Sequence, residues 1–186
     1  VQLEAIAVNG AESQPLLLLG IDPAQEIAVS DLSSAVRVGR LQDLAQGDHV
    51  VLGVLLADRL GVGPGDSIMI LVPAVDAAGV PSPRLRQFDV VGLFEIGAQE
   101  SDAALAYTNL GAARALTGGD ARTAGLRLRF DEVLQAAQRT AMLRGLVPAG
   151  FELRDWTQDH ANYFRAIRIE KTMMGLILLL IVAIAA

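Results

Sequence analysis

Up to about position 172 the apolar residues come in short bursts separated by turn residues; beyond it they run almost unbroken. Val1–Val8 reads as a strand, stopped by the turn dipeptide Asn9-Gly10. Pro15–Ile21 (PLLLLGI) is a continuous apolar run between turn residues and predicts a buried strand, paired with the first through a loop longer than two residues. Asp22-Pro23 breaks the pattern. Ser30–Val36 predicts a short helix capped near Ser30 or Asp31. Gly47-Asp48 is a turn, Val50–Leu52 a short strand, and Val54–Leu60 a helix closed by Gly61. Ser67–Val72 predicts a strand, Pro73–Arg86 a loop with three prolines, Phe88–Ile96 a strand and Gly97–Asp102 a polar loop.

Ala104–Thr108 predicts a further strand, and Asn109 caps a helix to Leu116. Leu126–Phe130 alternates most cleanly: Leu126, Leu128 and Phe130 on one face, Arg127 and Arg129 on the other. It predicts a half-buried strand with solvated arginines. Asp131 caps a helix to about Arg144, ended by Gly145 and Pro148. Phe151–Leu153 predicts a last short strand. Short strands interleaved with short helices predict an α+β fold with a mixed sheet.

From Asp155 one helix is expected to run toward the C-terminus. Asp155 is a good N-cap, with Gln158 three residues on. Trp156, Tyr163, Phe164 and Ile167 fall near one face, and Arg165, Arg168 and Lys171 form a basic collar before the apolar run. Leu176–Val182 with Ile184 supply eight strongly apolar side chains. At about −0.5 kcal/mol each they favour a bilayer by roughly 4 kcal/mol. Residues 173–186 are shorter than the ~20 of a full span, so the run reads as a membrane helix cut off by the end of the sequence. The expected division is 1–154, an α+β domain; 155–172, an amphipathic stalk helix; and 173–186, a truncated transmembrane helix.

The net charge of −6 provides no basic field for nucleic acid. The chain has no Cys, which excludes disulfides, cysteine metal sites and a cysteine nucleophile. The glycines at 61–65 follow a helix and open a strand, the reverse of a phosphate-binding loop, and lack the Lys-Ser/Thr ending. His49 and His160 have no metal-ligand spacing. Ser33-Ser34 and Ser82 have no nucleophile elbow around them. Asp131-Glu132 reads as helix N-terminal charge. No catalytic set and no cofactor site are expected. Pro81-Ser82-Pro83-Arg84-Leu85-Arg86 is stiff and extended. It is either a protruding arm or an ordinary long hairpin connection.

Four stretches carry a resemblance: Gly20-Ile21-Asp22-Pro23 after an apolar strand, VVLGVLLADRLGVGPGDSIMILVP, PSPRLRQFDVVGLFEIG and EKTMMGLILLLIVAIAA. Together they resemble the permease subunits of the lipoprotein-releasing ABC transporter, the LolC/LolE type, within the wider group of MacB-like and FtsX-like permeases. The Pro-Ser-Pro-Arg segment and the Glu170-Lys171-x-Met173-Met174-Gly175 entry are closer to the LolC side.

The resemblance implies most of a MacB-like periplasmic domain, incomplete at its N-terminus, leading into the second membrane helix of an inner-membrane permease. Residues 1–172 would lie on the periplasmic side. It implies a non-catalytic subunit. Its partners would be a separate ABC ATPase, a second permease subunit, a periplasmic lipoprotein carrier, the lipoprotein substrate and membrane lipids. In such subunits a projecting hook captures the carrier. Its counterpart here is Pro73–Arg86, with Pro73, Val75, Val80, Pro81, Pro83, Arg84 and Arg86 as carrier-binding residues. The tip departs from the family by lacking large apolar side chains. Trp156, Phe164, Arg165, Arg168 and Lys171 would be the membrane-proximal stalk residues. A MacB-like exporter of another substrate and an FtsX-like signalling module stay open as alternatives.

Overall fold

The computed structural model describes residues 1–74, 82–117, 125–130, 132, 136–148, 150–153, 155, 169–178 and 181. The chain divides into two compact units, Val1–Arg129 and Phe130–Ala186.

The first unit is built on seven strands: β1 (Gln2–Asn9), β2 (Glu12–Ile21), β3 (Val36–Val38), β4 (His49–Gly53), β5 (Ser67–Val72), β6 (Arg84–Phe94) and β7 (Leu105–Asn109). Their order is β3-β6-β4-β7-β2-β1-β5, and β5 also pairs with β6. Six strands therefore close into a ring, with β3 added to the later half of β6. Closure removes the open edges that an isolated sheet would present. The sheet is mixed: β2–β7 and β4–β6 are parallel, the other pairs antiparallel.

Strand alternation explains the interior. Leu3, Ala5 and Ala7 of β1, Leu16 and Leu18 of β2, Val50 and Leu52 of β4, Ile68, Ile70 and Val72 of β5, Phe88 and Val90 of β6, and Ala106 of β7 form one apolar cluster. Every ring strand contributes one face to it. Among the described residues five α-helices attach to this unit, α1 (Pro23–Val29), α2 (Leu32–Ala35), α3 (Val54–Leu60), α4 (Gln99–Ala104) and α5 (Leu110–Thr117), with a 3-10 turn over Leu41–Ala45. Leu56, Ala57 and Leu60 of α3 and Ala112, Ala113 and Leu116 of α5 join the cluster. A second cluster of Leu19, Ile21, Leu32, Leu41, Leu44, Val51, Phe94 and Tyr107 covers the other face of β2, β4 and β7. Burial on both faces is why these strands read as unbroken apolar runs.

Several local details differ from the sequence pattern. Asn9 pairs with Glu12, so the first hairpin turns through only Gly10 and Ala11. Gly10 has φ of 59° and Ala11 is not left-handed, the mark of a type II′ turn. Asp22-Pro23 does not end structure but begins α1: the Asp22 carboxylate accepts from Ala24 N–H, and Pro23 takes the first turn, where its missing N–H costs nothing. The helix expected at 30–36 is confined to Leu32–Ala35. The stretch 97–102 is not a loop: α4 starts at Gln99, and the buried Asp102 carboxylate accepts from the N–H groups of Ile96 and Gly97. Residues 126–130 form no strand.

Other elements match. Gly61 closes α3 in a left-handed conformation, φ 63°, and the following glycines make a turn into β5, with Asp66 accepting from Gly63 N–H. Asn109 caps α5 by accepting from Ala112 N–H, while its amide donates to the carbonyls of Leu44 and Gly47. Gly20 lets α5 approach β2, since a Cβ there would overlap that of Ala113.

In the second unit, α6 spans Ala136–Leu143. The N-cap expected at Asp131 lies outside the described residues. Residues 151–153 carry no strand, and Phe151 is exposed. A helix, α7, covers 169–178, with Ile169, Met173, Met174, Leu176, Ile177 and Leu178 exposed. Among the described residues no helix is long and apolar enough to cross a membrane.

Candidate functional site

The Pro-rich segment is the connection of the β5–β6 hairpin. Ser67 pairs with Asp89 and Val72 with Arg84, so residues 73–83 connect the ends of these two strands. Ser82 N–H donates to the Ala74 carbonyl at 2.7 Å, continuing the hairpin beyond the strands. Below the root the two strands are anchored in the core: Ile68, Ile70 and Phe88 are completely or almost completely buried.

The strand begins earlier than the prolines suggest, at Arg84 rather than Phe88. Arg84 and Arg86 therefore belong to β6, not to the loop. Arg86 lies in the same alternating row as the inward-facing Phe88 and Val90, where β6 runs past the start of β4. Its Nε donates to Asp48 Oδ2 at 2.7 Å. The Asp48 carbonyl accepts from Asp89 N–H, and Asp89 Oδ1 accepts from Ser67 Oγ. Arg86 thus braces the root. Pro83 and Arg84 are exposed beside it, as is Pro73 on the β5 side. Val75, Val80 and Pro81 lie outside the described residues. So do Trp156, Phe164, Arg165 and Arg168 of the expected stalk; Lys171 is exposed on α7.

One feature of the site follows only from register. Ile6 pairs with Leu71, and Leu71 with Leu85. All three point outward, and Ile6 and Leu85 are 38% and 57% exposed. They make an apolar row across β1, β5 and β6 at the hairpin's root. Alternation in each strand hints at outward-facing residues, but their alignment depends on pairings distant in sequence.

His49 Nδ1 lies 2.7 Å from the Asp43 carbonyl, and His160 lies outside the described residues. Arg127 and Arg129 are not free cations on a sheet face; they pair with Glu26 and Asp31. Among the described residues no group of three or more His, Cys, Asp or Glu is placed to hold a metal ion.

No protein-family model matches the chain. It is 38% identical over 193 residues to the lipoprotein-releasing system transmembrane protein LolC of Neisseria meningitidis serogroup B, an alignment covering 100% of this chain and 46% of the relative. The chain belongs to the LolC-type permeases. A LolC of Xylella fastidiosa is 35% identical over 188 residues, covering 100% of this chain and 45% of that protein. The chain thus spans about half the length of the curated relatives it matches. Among solved structures it is similar to the extracellular domain of the noncanonic ABC-type transporter YknZ from Gram-positive bacteria. That likeness has 14% identity and a TM-score of 0.46, covering 74% of this chain and 66% of the other.

Proposed function

We propose that this chain is the periplasmic portion of an ABC transporter permease that takes lipoproteins from the inner membrane and hands them to a periplasmic carrier. The observation that carries this reading is identity to lipoprotein-releasing LolC proteins along the whole chain. The β5–β6 hairpin is the part that meets the carrier, with Pro73, Val75, Val80, Pro81, Pro83 and Arg84 on the arm and the Ile6–Leu71–Leu85 row as an apolar floor. A braced root suits this role, since an arm held in place loses less freedom on binding.

ATP hydrolysis belongs to a separate ABC ATPase, and a second permease subunit completes the transporter. Residues 155–172 form the stalk and 173–186 enter the bilayer, with residues 1–172 on the periplasmic side. Trp156, Phe164, Arg165, Arg168 and Lys171 meet the membrane surface, the cations resting on anionic headgroups.

The test is reconstitution of the full-length permease with its ATPase and partner permease in liposomes carrying a labelled lipoprotein. ATP-dependent transfer to added carrier is expected. Intact ATPase activity without lipoprotein transfer, alongside export of a different substrate, would overturn the reading in favour of an exporter.

A further inference from the structure

The Leu-Arg alternation after Gly125 runs opposite to a half-buried strand. The arginines turn toward the domain and the leucines toward solvent, Leu126 and Leu128 being 95% and 60% exposed. Arg127 Nη1 donates to Glu26 Oε1 at 2.8 Å, and Arg129 Nη1 to Asp31 Oδ1 at 3.1 Å. These partners lie 101 and 98 residues earlier in the chain. Glu26 is on α1 and Asp31 is the N-cap of α2. The segment belongs to no strand or helix and buries neither leucine. What clips it to the domain is a pair of charge contacts, spaced to match alternate residues of an extended chain.

The two clips are unequal. The Glu26 side chain is only 8% exposed, so parting it from Arg127 leaves a poorly hydrated carboxylate without its cation. The Arg129–Asp31 pair is 49% and 82% exposed, a weak contact that salt screens. Between the segment and the domain lies a cavity of about 680 Å³, lined by Leu17, Leu19 and Ile21 of β2, Val29 of α1, and Leu126 and Arg127.

We propose that residues 125–129 are a releasable strap: the two ion pairs clip the chain's exit from the ring onto α1 and α2, and parting them frees the segment and opens the cavity without unfolding the ring. The outer pair yields first and the Glu26 pair is the retaining one. A pull on the chain beyond Arg129 loads these contacts and none of the strand ladder, so opening is local. The strap works in the same way whatever cargo the permease moves.

The chain's lack of cysteine suits a spin-label measurement on the full-length permease in a cysteine-free background. Labels at Ile27→Cys and Leu128→Cys report the strap; labels at Ser13→Cys and Gln87→Cys report the ring. One strap distance is expected in the parent protein. Glu26→Gln with Arg129→Gln should raise the share of a longer distance about tenfold or more, and Asp31→Arg alone about two- to fivefold, since the Glu26 pair still holds. Salt of about 1 M should do the same in part. The exposed charge swap Asp31→Arg with Arg129→Asp should restore the short distance, and it tests the strap even if the Glu26 variant folds poorly. The ring distance stays constant throughout. A strap distance indifferent to Asp31→Arg and to salt overturns the proposal. So does a ring distance that broadens together with it.

Discussion

Arg86 and Asp48 stand 38 residues apart in the chain and meet at 2.7 Å, Nε to Oδ2. The contact joins the β5–β6 hairpin to the turn that opens β4. It explains why an arginine beside the proline segment belongs to the base of the hairpin rather than to its connection.

Arg86→Ala should loosen that root while leaving the strand ladder in place. The partners are 40% and 34% exposed, so solvent screening limits the loss to about 0.5–1 kcal/mol. Denaturant unfolding at low and high salt reads this directly. The difference from the parent should shrink as salt rises; a salt-independent loss would assign Arg86 a packing role instead.

Gly20→Val should be far more costly. Its side chain would collide with Ala113 and push α5 off β2, an overpacking cost of about 1–3 kcal/mol or more. Gly63→Ala is the control, because an added Cβ there meets nothing within 4 Å, and it should stay within about 0.5 kcal/mol. Equal melting shifts for the two would contradict the helix–strand approach described here.

Tyr107 should leave a mark in alkali. Burial raises its pKa above the ordinary value of about 10, with Glu26 adding to the rise and Arg127 opposing it. A raised folded-state pKa gives stability that is complete below about pH 10 and is lost as pH climbs through the folded value. The stability gap between the parent and Tyr107→Phe should therefore narrow or change sign as pH climbs above about 10. A gap constant across that window would show that the phenol titrates as it does in water.

Much of the ring was legible because single strands carry their own signals. The run at 15–21, the strand at 67–72 and the helix closed by Gly61 need only local pattern. Pro23 misled because proline both breaks helices and begins them; what separates the two cases is the Asp22 carboxylate reaching Ala24 N–H. Leu126–Phe130 misled for a longer-range reason. Its alternation is real, but the ring is already closed and the arginines pair with Glu26 and Asp31 instead of lining a sheet face. At the candidate site the break between β5 and β6 was readable from its prolines. The commitment of Arg86 to Asp48 and the alignment of Ile6, Leu71 and Leu85 were not, since both depend on pairings between distant strands.

The most direct test of the central claim is the affinity of the full-length permease for the purified periplasmic lipoprotein carrier, measured with and without residues 74–83. The account predicts that deletion weakens binding by a hundredfold or more, on the order of 3 kcal/mol, and that Arg84→Ala alone weakens it about tenfold. Carrier binding of undiminished strength after the deletion, with the ring still folded, would contradict it.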